Sequence, residues 1–451
     1  MKSSAKNVDM LSGPLFSNIL KFVIPFMLTA FIQHLYNAAD VVVVGRYAGR
    51  TALAAVGSTG NITNLIIDLI LGLSVGVSIS LGHAIGAGDL EKQKKTVHTA
   101  ILLSILSGAV VSIIGIVFAE PLLRLIEVPE SIMPQAKIYM QIIFCGKTPS
   151  LIYNFGAGIF RANGDTKTPM YIVSASGIIN ILLNLFFVIC LDMAAGGVAL
   201  ATVISQLFTA IVVIYKLTKR TDGSRLYLKK LKIHAEELRS IVKIGLPSGI
   251  QSLVFSGANV IVYAGINSFG DAVIAGNAAG TNIGNFYNAA VNSFYQAAVS
   301  FTSQNIGAKQ YNRINKIIGI CLLDVTIIWS ILIFISLVFG ESLVGFYAPG
   351  DVEAIHWGVV RLIYVGCLYG LVGYMNVMSG ALRGMRYSFL CMIAAIVGVC
   401  GIRIVWVYTV FPIVNTYENL LLCFPLSWFG TFVFYSIVYV FVMRKLKRAA
   451  G

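Results

Sequence analysis

The sequence is short of charge. Only 12% of its 451 residues are Asp, Glu, Lys or Arg, whereas 57% are hydrophobic. Soluble domains carry about 25% charged residues, so roughly half of the expected charge is missing. No water-soluble fold of this length could bury that much apolar surface. Paired cysteines are lacking too. Cys145, Cys190, Cys321, Cys367, Cys391, Cys400 and Cys423 fall singly within or beside hydrophobic segments, and no C-x-x-C pair occurs. That spacing argues against a disulfide frame or a thiolate metal cluster. A phosphate-binding loop is also missing. Gly146-Lys147-Thr148 looks like the end of one, but the glycine required five positions earlier is Gln141. His34 and His83 have no metal-ligand spacing, and clustered catalytic His, Asp or Glu residues are absent from the apolar runs.

What is present is a succession of apolar runs close to the roughly 20 residues a membrane span needs. They cover residues 15–45, 53–80, 97–118, 136–158, 170–191, 197–217, 238–266, 273–301, 317–339, 357–378, 388–410 and 420–443. The first run continues past Asp40 without a small-residue cleavage site, which fits a retained span rather than a removed signal. The expected fold is an all-α polytopic membrane protein of twelve transmembrane helices in two pseudo-symmetric six-helix bundles. The net charge of +14 does not point to nucleic acid, because of where it lies. Alternate loops hold nearly all the Lys and Arg, including Lys92, Lys94, Lys95, Arg161, Lys167, Lys309, Arg313, Arg383 and the stretch 216–243. The intervening loops hold mainly acids, such as Glu120, Glu127, Glu130, Asp271, Glu341 and Asp351. This positive-inside pattern places both termini in the cytoplasm.

The charged stretch 218–237 divides the chain into an amino-terminal lobe, 1–217, and a carboxy-terminal lobe, 238–451. The lobes are related. Lys21 to Pro25 (KFVIP) recurs as KIGLP from Lys243 to Pro247. Gly49, Ala54, Asn61, Ile62 and Asn64 recur 221 positions later as Gly270, Ala275, Asn282, Ile283 and Asn285. The tripeptide IGA at 85–87 recurs at 306–308, and GIFR at 158–161 recurs as GALR at 380–383. Each half has an even helix count, so the repeats run parallel about an axis along the membrane normal. Two such lobes joined by a flexible cytoplasmic linker could rock about a central cavity. Pro25 and Pro247 sit inside the first helix of each lobe, where each either permits a bend or merely begins a turn.

Polar residues inside the apolar runs are the candidates for function, because each ionisable one costs about 2.5–3.5 kcal/mol or more to insert. Asp40 follows Gln33, His34, Tyr36 and Asn37 and precedes four valines that continue the span. It is either an exchangeable acid or a solvated carboxylate at the helix end. Asn180 and Asn184 stack on one face of helix five, and helix six offers Thr202 and Ser205. Their oxygens suit a small hard cation, could hold a protonated Asp40, or only bridge helices. Helix two carries Asn61, Asn64 and Asp68; helix eight carries Asn277, Thr281, Asn285, Asn288, Asn292 and Gln296. At 100° per residue the latter six fall within a sector of about 100°. Both stripes are expected to line the central cavity, with Asp68 facing a cationic solute or paired with His34 or an arginine. Asp324 and Arg403 sit in apolar surroundings, where an ion pair is conceivable and snorkelling is the alternative for Arg403. With no nucleotide site, transport would draw on an ion gradient, where one charge crossing 100 mV is worth about 2.3 kcal/mol.

Several of these stretches together resemble the multidrug and toxic compound extrusion (MATE) family over nearly the whole chain. They are QHLYNAAD at 33–40 followed by VGR at 44–46, AAVG at 54–57, IGA at 85–87, RANGD at 161–165 before Pro169, and QNIGA at 304–308. The resemblance implies a transporter, not an enzyme, with no cofactor, that exports organic cations or amphipathic drugs in exchange for H+ or Na+. Two lobes already form a complete pathway without a second chain, so a functional monomer is expected, in the bacterial plasma membrane. The resemblance matches Asp40, Asn180, Asn184 and Thr202 to the amino-terminal cation site; Tyr36, Asn37, Gln251 and the two stripes are expected along the substrate path from the polar residues themselves. There are departures. Some relatives carry a second carboxylate where Asn184 stands, and His34 replaces a residue that is often glutamine. The acids that the NorM-like branch places on helices seven and ten are absent from 246–266 and 362–378, where Gln251 and Asn376 are among the polar residues. The chain therefore looks closer to the DinF-like branch. The alternatives are a lipid-linked-sugar flippase of the same superfamily, which calls for a cationic cavity, and a membrane-embedded enzyme. A major-facilitator carrier is disfavoured because its basic signature is missing from residues 83–95.

Overall fold

In the computed structural model the described residues are 7–450; the side chains of Arg50, Leu53, Asn61, Ile62, Asn64, Leu65, Ile66, Asp68, Ala449 and Ala450 lie outside that description. Among the described residues there is no strand, and twelve long helices follow one another. They are α1 Leu15–Ala48, α2 Gly49–Gly86, α3 Leu90–Val117, and α4 as Met133–Cys145 resuming at Lys147–Ala162. Then come α5 Lys167–Cys190, α6 Ala194–Thr218, α7 Ala235–Asn267, α8 Asp271–Gly307 and α9 Tyr311–Tyr347. The last are α10 Val352–Gly384, α11 Ser388–Val410 and α12 Tyr417–Arg448. Among the described residues, ten stretches of helix are long and apolar enough to cross a membrane. The two helices outside that set are α4, interrupted at Gly146, and α8, whose row of amides lowers its hydropathy.

Several helices outrun their apolar windows. α2 has 38 residues and α8 has 37, about 55 Å at 1.5 Å per residue, against a hydrocarbon core of about 30 Å. Nothing stops a helix at the edge of the apolar layer, because its backbone remains internally bonded there. It stops where a cap or glycine turns the chain. Asp89 Oδ1 accepts from Lys92 N at 2.9 Å to start α3, and Asp351 Oδ1 accepts from Ala354 N at 3.0 Å to start α10.

The internal repeat is written into the backbone. Left-handed residues recur at matching places: Gly49 (φ 84°) with Gly270 (φ 93°), Gly88 (φ 70°) with Lys309 (φ 58°), and Gly164 (φ 77°) with Arg386 (φ 71°). The second half thus keeps the turn even where it has lost the glycine that favours it. Wide π-helical turns recur as well, at Phe186–Cys190 in α5 and at Trp406–Val410 in α11.

The chain divides into two compact units, and the division does not follow its linear order: one comprises Met1–Val8 with Leu28–Gly249, the other Asp9–Met27 with Ile250–Gly451. Each unit therefore contains the first part of the other half's leading helix. In unit 1 the start of α7 packs backbone to backbone on α2. A Cβ added at Gly72 would lie 2.3 Å from Gly249 N, and one added at Gly249 would lie 2.1 Å from Leu69 O. Small residues are what permits such an approach between membrane helices. In unit 2 the start of α1 is held by Phe22, fully buried and edge-on to Phe301 with ring centroids 5.8 Å apart. Asn305 Nδ2 donates to Met10 O at 3.0 Å beside it. Pro25 and Pro247 each lie two residues before the change of unit, inside continuous helix.

The connection between α6 and α7 is not the loose tether its composition suggests. Tyr227 N donates to His98 Nε2 at 3.1 Å, and His234 N donates to Thr99 Oγ1 at 3.0 Å. Thr96 Oγ1 donates to Glu237 Oε2 at 3.1 Å, while Leu226 and Ser224 are buried. A single turn of α3, from Thr96 to Thr99, thus holds the segment inside unit 1. Its lysines face solvent, but its backbone is docked.

Candidate functional site

In unit 1, α1, α5 and α6 bring four polar side chains into one chain of hydrogen bonds. Asn184 Nδ2 donates to Asp40 Oδ1 and also lies 3.2 Å from Asn180 Oδ1. Asn180 Nδ2 donates to Thr202 Oγ1 at 3.4 Å, and Thr202 Oγ1 donates back to Val198 O at 3.0 Å. Asn180 and Asn184 are 2% and 1% exposed, whereas Asp40 is half-buried. One acceptor is left over: Asn184 Oδ1 is buried with no hydrogen-bond partner. An amide oxygen withheld from water and from protein donors is a strong place for a cation or a proton donor, since leaving it unmade costs about 1–3 kcal/mol.

Local structure explains why these groups meet. Asn180 and Asn184 share a helical face, and Asp40 sits one turn beyond Tyr36 on α1. Gly177, one turn before Asn180, lets α1 come close: a Cβ there would stand 3.3 Å from the Tyr36 ring. Ser176 Oγ donates to Ser205 O at 3.0 Å and fixes α5 against α6 one turn from Asn180. The wide turn Val44–Ala48 follows Asp40, and the wide turn Phe186–Cys190 follows Asn184. Such turns gather at functional positions because they re-aim the side chains around them. Beside the site Val43, Val44, Ala52, Val188, Ala195 and Val198 form an apolar cluster, with Tyr139 of α4 against it.

Other residues singled out from the sequence fall differently. Asn37 is exposed on α1. Asn61, Asn64 and Asp68 have side chains outside the described residues. In unit 2 the amides of α8 separate into two groups. Asn277 Oδ1 accepts from Arg361 Nη1 at 2.7 Å and from Tyr417 Oη at 3.2 Å. Asn285 and Asn288 are exposed, and Asn292 and Gln296 are half-buried. Gln251 Oε1 accepts from Arg383 Nη2 at 2.5 Å, while Arg383 Nη1 donates to Tyr295 Oη at 3.0 Å. Asp324 and Arg403 do not pair. Arg403 donates to Asn259 Oδ1 at 2.7 Å and to Ser427 Oγ at 3.1 Å, and its guanidinium lies 4.5 Å from the Phe424 ring centroid. Both carboxylate oxygens of Asp324 are buried without a hydrogen-bond partner. Sequence reasoning weighed Lys147 only within a failed phosphate-binding loop, yet it is buried at the break in α4 with the Phe144 ring 5.9 Å from its ammonium. The rule that singled out Asp40, an ionisable group within an apolar run, applies to it equally.

The described residues thus form a repeated twelve-helix membrane bundle in which α1, α5 and α6 share an acid–amide chain. The MatE family model matches residues 25–186 and again 247–409, so the chain belongs to the MATE family of multidrug and toxic compound extrusion transporters, and the two matches fall one on each copy of the repeat. The chain is 25% identical over 390 residues to "Probable multidrug resistance protein YoeA" of Bacillus subtilis, covering 85% of this chain and 84% of that one. It is 24% identical over 381 residues to the "FAD transporter" of Shewanella oneidensis, covering 83% of each. Among solved structures, its fold matches a multidrug resistance MATE family transporter in an outward-facing conformation with a TM-score of 0.90. The identity there is 22%, and the match covers 99% of this chain and 100% of that one.

Proposed function

We propose that this protein exports small molecules by exchange with inward-moving H+ or Na+, and that Asp40, Asn180, Asn184 and Thr202 hold the exchanged ion. The observation that carries the reading is the Asn184–Asp40 contact beside an unpartnered amide oxygen. Bound to a carboxylate, the cation would find a ring of neutral oxygens; replaced by a proton, it would leave a protonated acid held by the same amides. Either exchange changes what α5 and α6 grip on α1, the kind of local change that can bias a two-state transporter. Pro25 and Pro247, where the two leading helices change unit, are the proposed bending points for alternating access. The exposed amides Asn285 and Asn288 are the proposed substrate contacts of the second half. The basic loops support cytoplasmic termini in a plasma membrane.

The substrate class has two readings. Relatives named for multidrug resistance support cationic or amphipathic drugs. A second reading, an anionic solute or lipid-linked headgroup, is favoured by unit 2, where Arg361, Arg383 and Arg403 are buried and take Asn277, Gln251, Tyr295, Asn259 and Ser427, all neutral, as partners. The relative named as an FAD transporter supports the same reading. Vesicles loaded with a fluorescent cation or a fluorescent anion, with H+ and Na+ gradients imposed separately, test both. Gradient-driven efflux of the cation alone supports the first reading, and of the anion alone the second. Transport indifferent to both gradients would overturn ion exchange.

A further inference from the structure

A cavity of about 430 Å³ lies between α5 and α6 at the end of the pair where α5 begins and α6 finishes. Its shape follows from helix geometry. Lys167, Tyr171 and Ala175 are spaced by four on α5, and Phe208, Val212 and Lys216 are spaced by four on α6. Eight residues along each helix make a slot about 12 Å long. One end is walled by rings and methyls, and the other carries the two lysines, both exposed.

The one acid on its wall, Asp165, is buried and is committed to the local turn: its Oδ1 accepts from Thr168 N at 2.9 Å. The mouth therefore keeps a net positive charge. Outside it the α5–α6 face is apolar and exposed at Ile178, Leu182, Leu207 and Ile211. Tyr171 and Tyr215 are 64% and 57% exposed, and Lys219 stands 5.7 Å from the Tyr215 ring centroid. Exposed tyrosines with lysines beside an apolar face mark the membrane–water boundary. Basic pockets between membrane helices at that depth bind anionic headgroups.

We infer that this slot is a binding site for an anionic phospholipid, whose phosphate lies between Lys167 and Lys216 and whose first chain methylenes lie against Tyr171, Phe208 and Val212. A soluble phosphate would use the lysines and leave the apolar end empty. A zwitterionic lipid would fill the apolar end and bring no net charge to the lysines. Only a lipid with an anionic head satisfies both ends. The same two helices carry Asn180 and Thr202 further along, so occupancy would brace the Asn180–Thr202 contact. That consequence rests on the ion-site reading; the binding itself does not.

The test needs no transport. Protein stripped of lipid and resupplied with phosphatidylglycerol or phosphatidylethanolamine is weighed by native mass spectrometry. The expected result is preferential retention of phosphatidylglycerol, falling about fivefold for Lys167→Gln or Lys216→Gln and about 25-fold for the pair, at about 1 kcal/mol per lysine near a membrane surface. Ala175→Leu, which narrows the slot and keeps both lysines, should lower retention of both lipids. Equal retention of the two lipids by the unaltered protein, or an unchanged preference in the double variant, overturns the proposal. Displacement of phosphatidylglycerol by inorganic phosphate overturns it in favour of a soluble ligand.

Discussion

Asn184 Nδ2 donates to Asp40 Oδ1, so the amide that ties α5 to α1 is also the one whose own oxygen is left unpartnered. A group so placed holds an ion only while the acid beside it can take or release one. Asp40→Asn, which keeps the size and polarity of the side chain, should bring gradient-driven efflux to background while leaving membrane expression intact. Asn184→Ala should leave exchange measurable but raise the Na+ concentration for half-maximal rate about tenfold or more. That follows from losing the free amide oxygen as a ligand to a charged group, about 1.5–3 kcal/mol. Vesicle efflux read against H+ and Na+ separately measures both, and full transport by Asp40→Asn would dismiss the ion-site reading.

The contact between α2 and the start of α7 should tolerate no methyl group. The atoms a new Cβ would meet at Gly72 and Gly249 are backbone, which cannot rotate away. Gly72→Ala or Gly249→Ala should each cost at least the roughly 1–3 kcal/mol of ordinary overpacking, seen as a lowered melting temperature in detergent. Gly57→Ala, on the same helix with nothing within 4 Å of its Cβ, is the control and should not lower it. Equal melting of all three variants would contradict the close approach.

The two kinds of amide on α8 should separate by assay. Asn277→Leu removes the acceptor of Arg361 and Tyr417 and should cost about 1–3 kcal/mol of stability. Adding Arg361→Met should recover much of that loss, because replacing a whole buried polar pair is far cheaper than orphaning one member. Asn288→Ala, at an exposed position, should leave melting unchanged and alter the range of solutes exported. An altered range without lost stability in Asn277→Leu would place that amide on the substrate path instead.

The docked connection predicts a protease signature. Lys229 and Lys230 are exposed, but their segment is held at Tyr227 and His234 by His98 and Thr99. Trypsin should cut there several-fold faster after His98→Ala, with the unaltered protein cut slowly because local opening must come first. Equal rates in the two proteins would restore a freely mobile linker.

The solvent and most of the element list were legible in the sequence for a local reason: hydropathy is a property of a window, and ten of the twelve described helices hold a stretch apolar enough to stand out, with the charged loops marking off the other two. The repeat was legible because it is a fixed offset along one dimension. It is visible in Gly49 and Gly270 before it is visible in their φ angles. Asp40 stood out because an acid inside an apolar run is expensive wherever its partner lies. The sequence left open which amides serve an ion and which serve an arginine. Asn277 and Asn285 look alike in the stripe, yet one is bonded to Arg361 from another helix and the other is exposed. That difference depends on which way α8 is turned and what α10 brings to it, and no local window contains either fact. The exchange of leading half-helices and the docking of the connection are likewise tertiary. Composition read the segment from 218 to 237 as a tether, because lysines mark a solvated side-chain face. Its backbone amides nevertheless found acceptors on α3, since a buried amide left unpaired costs more than the order required to satisfy it.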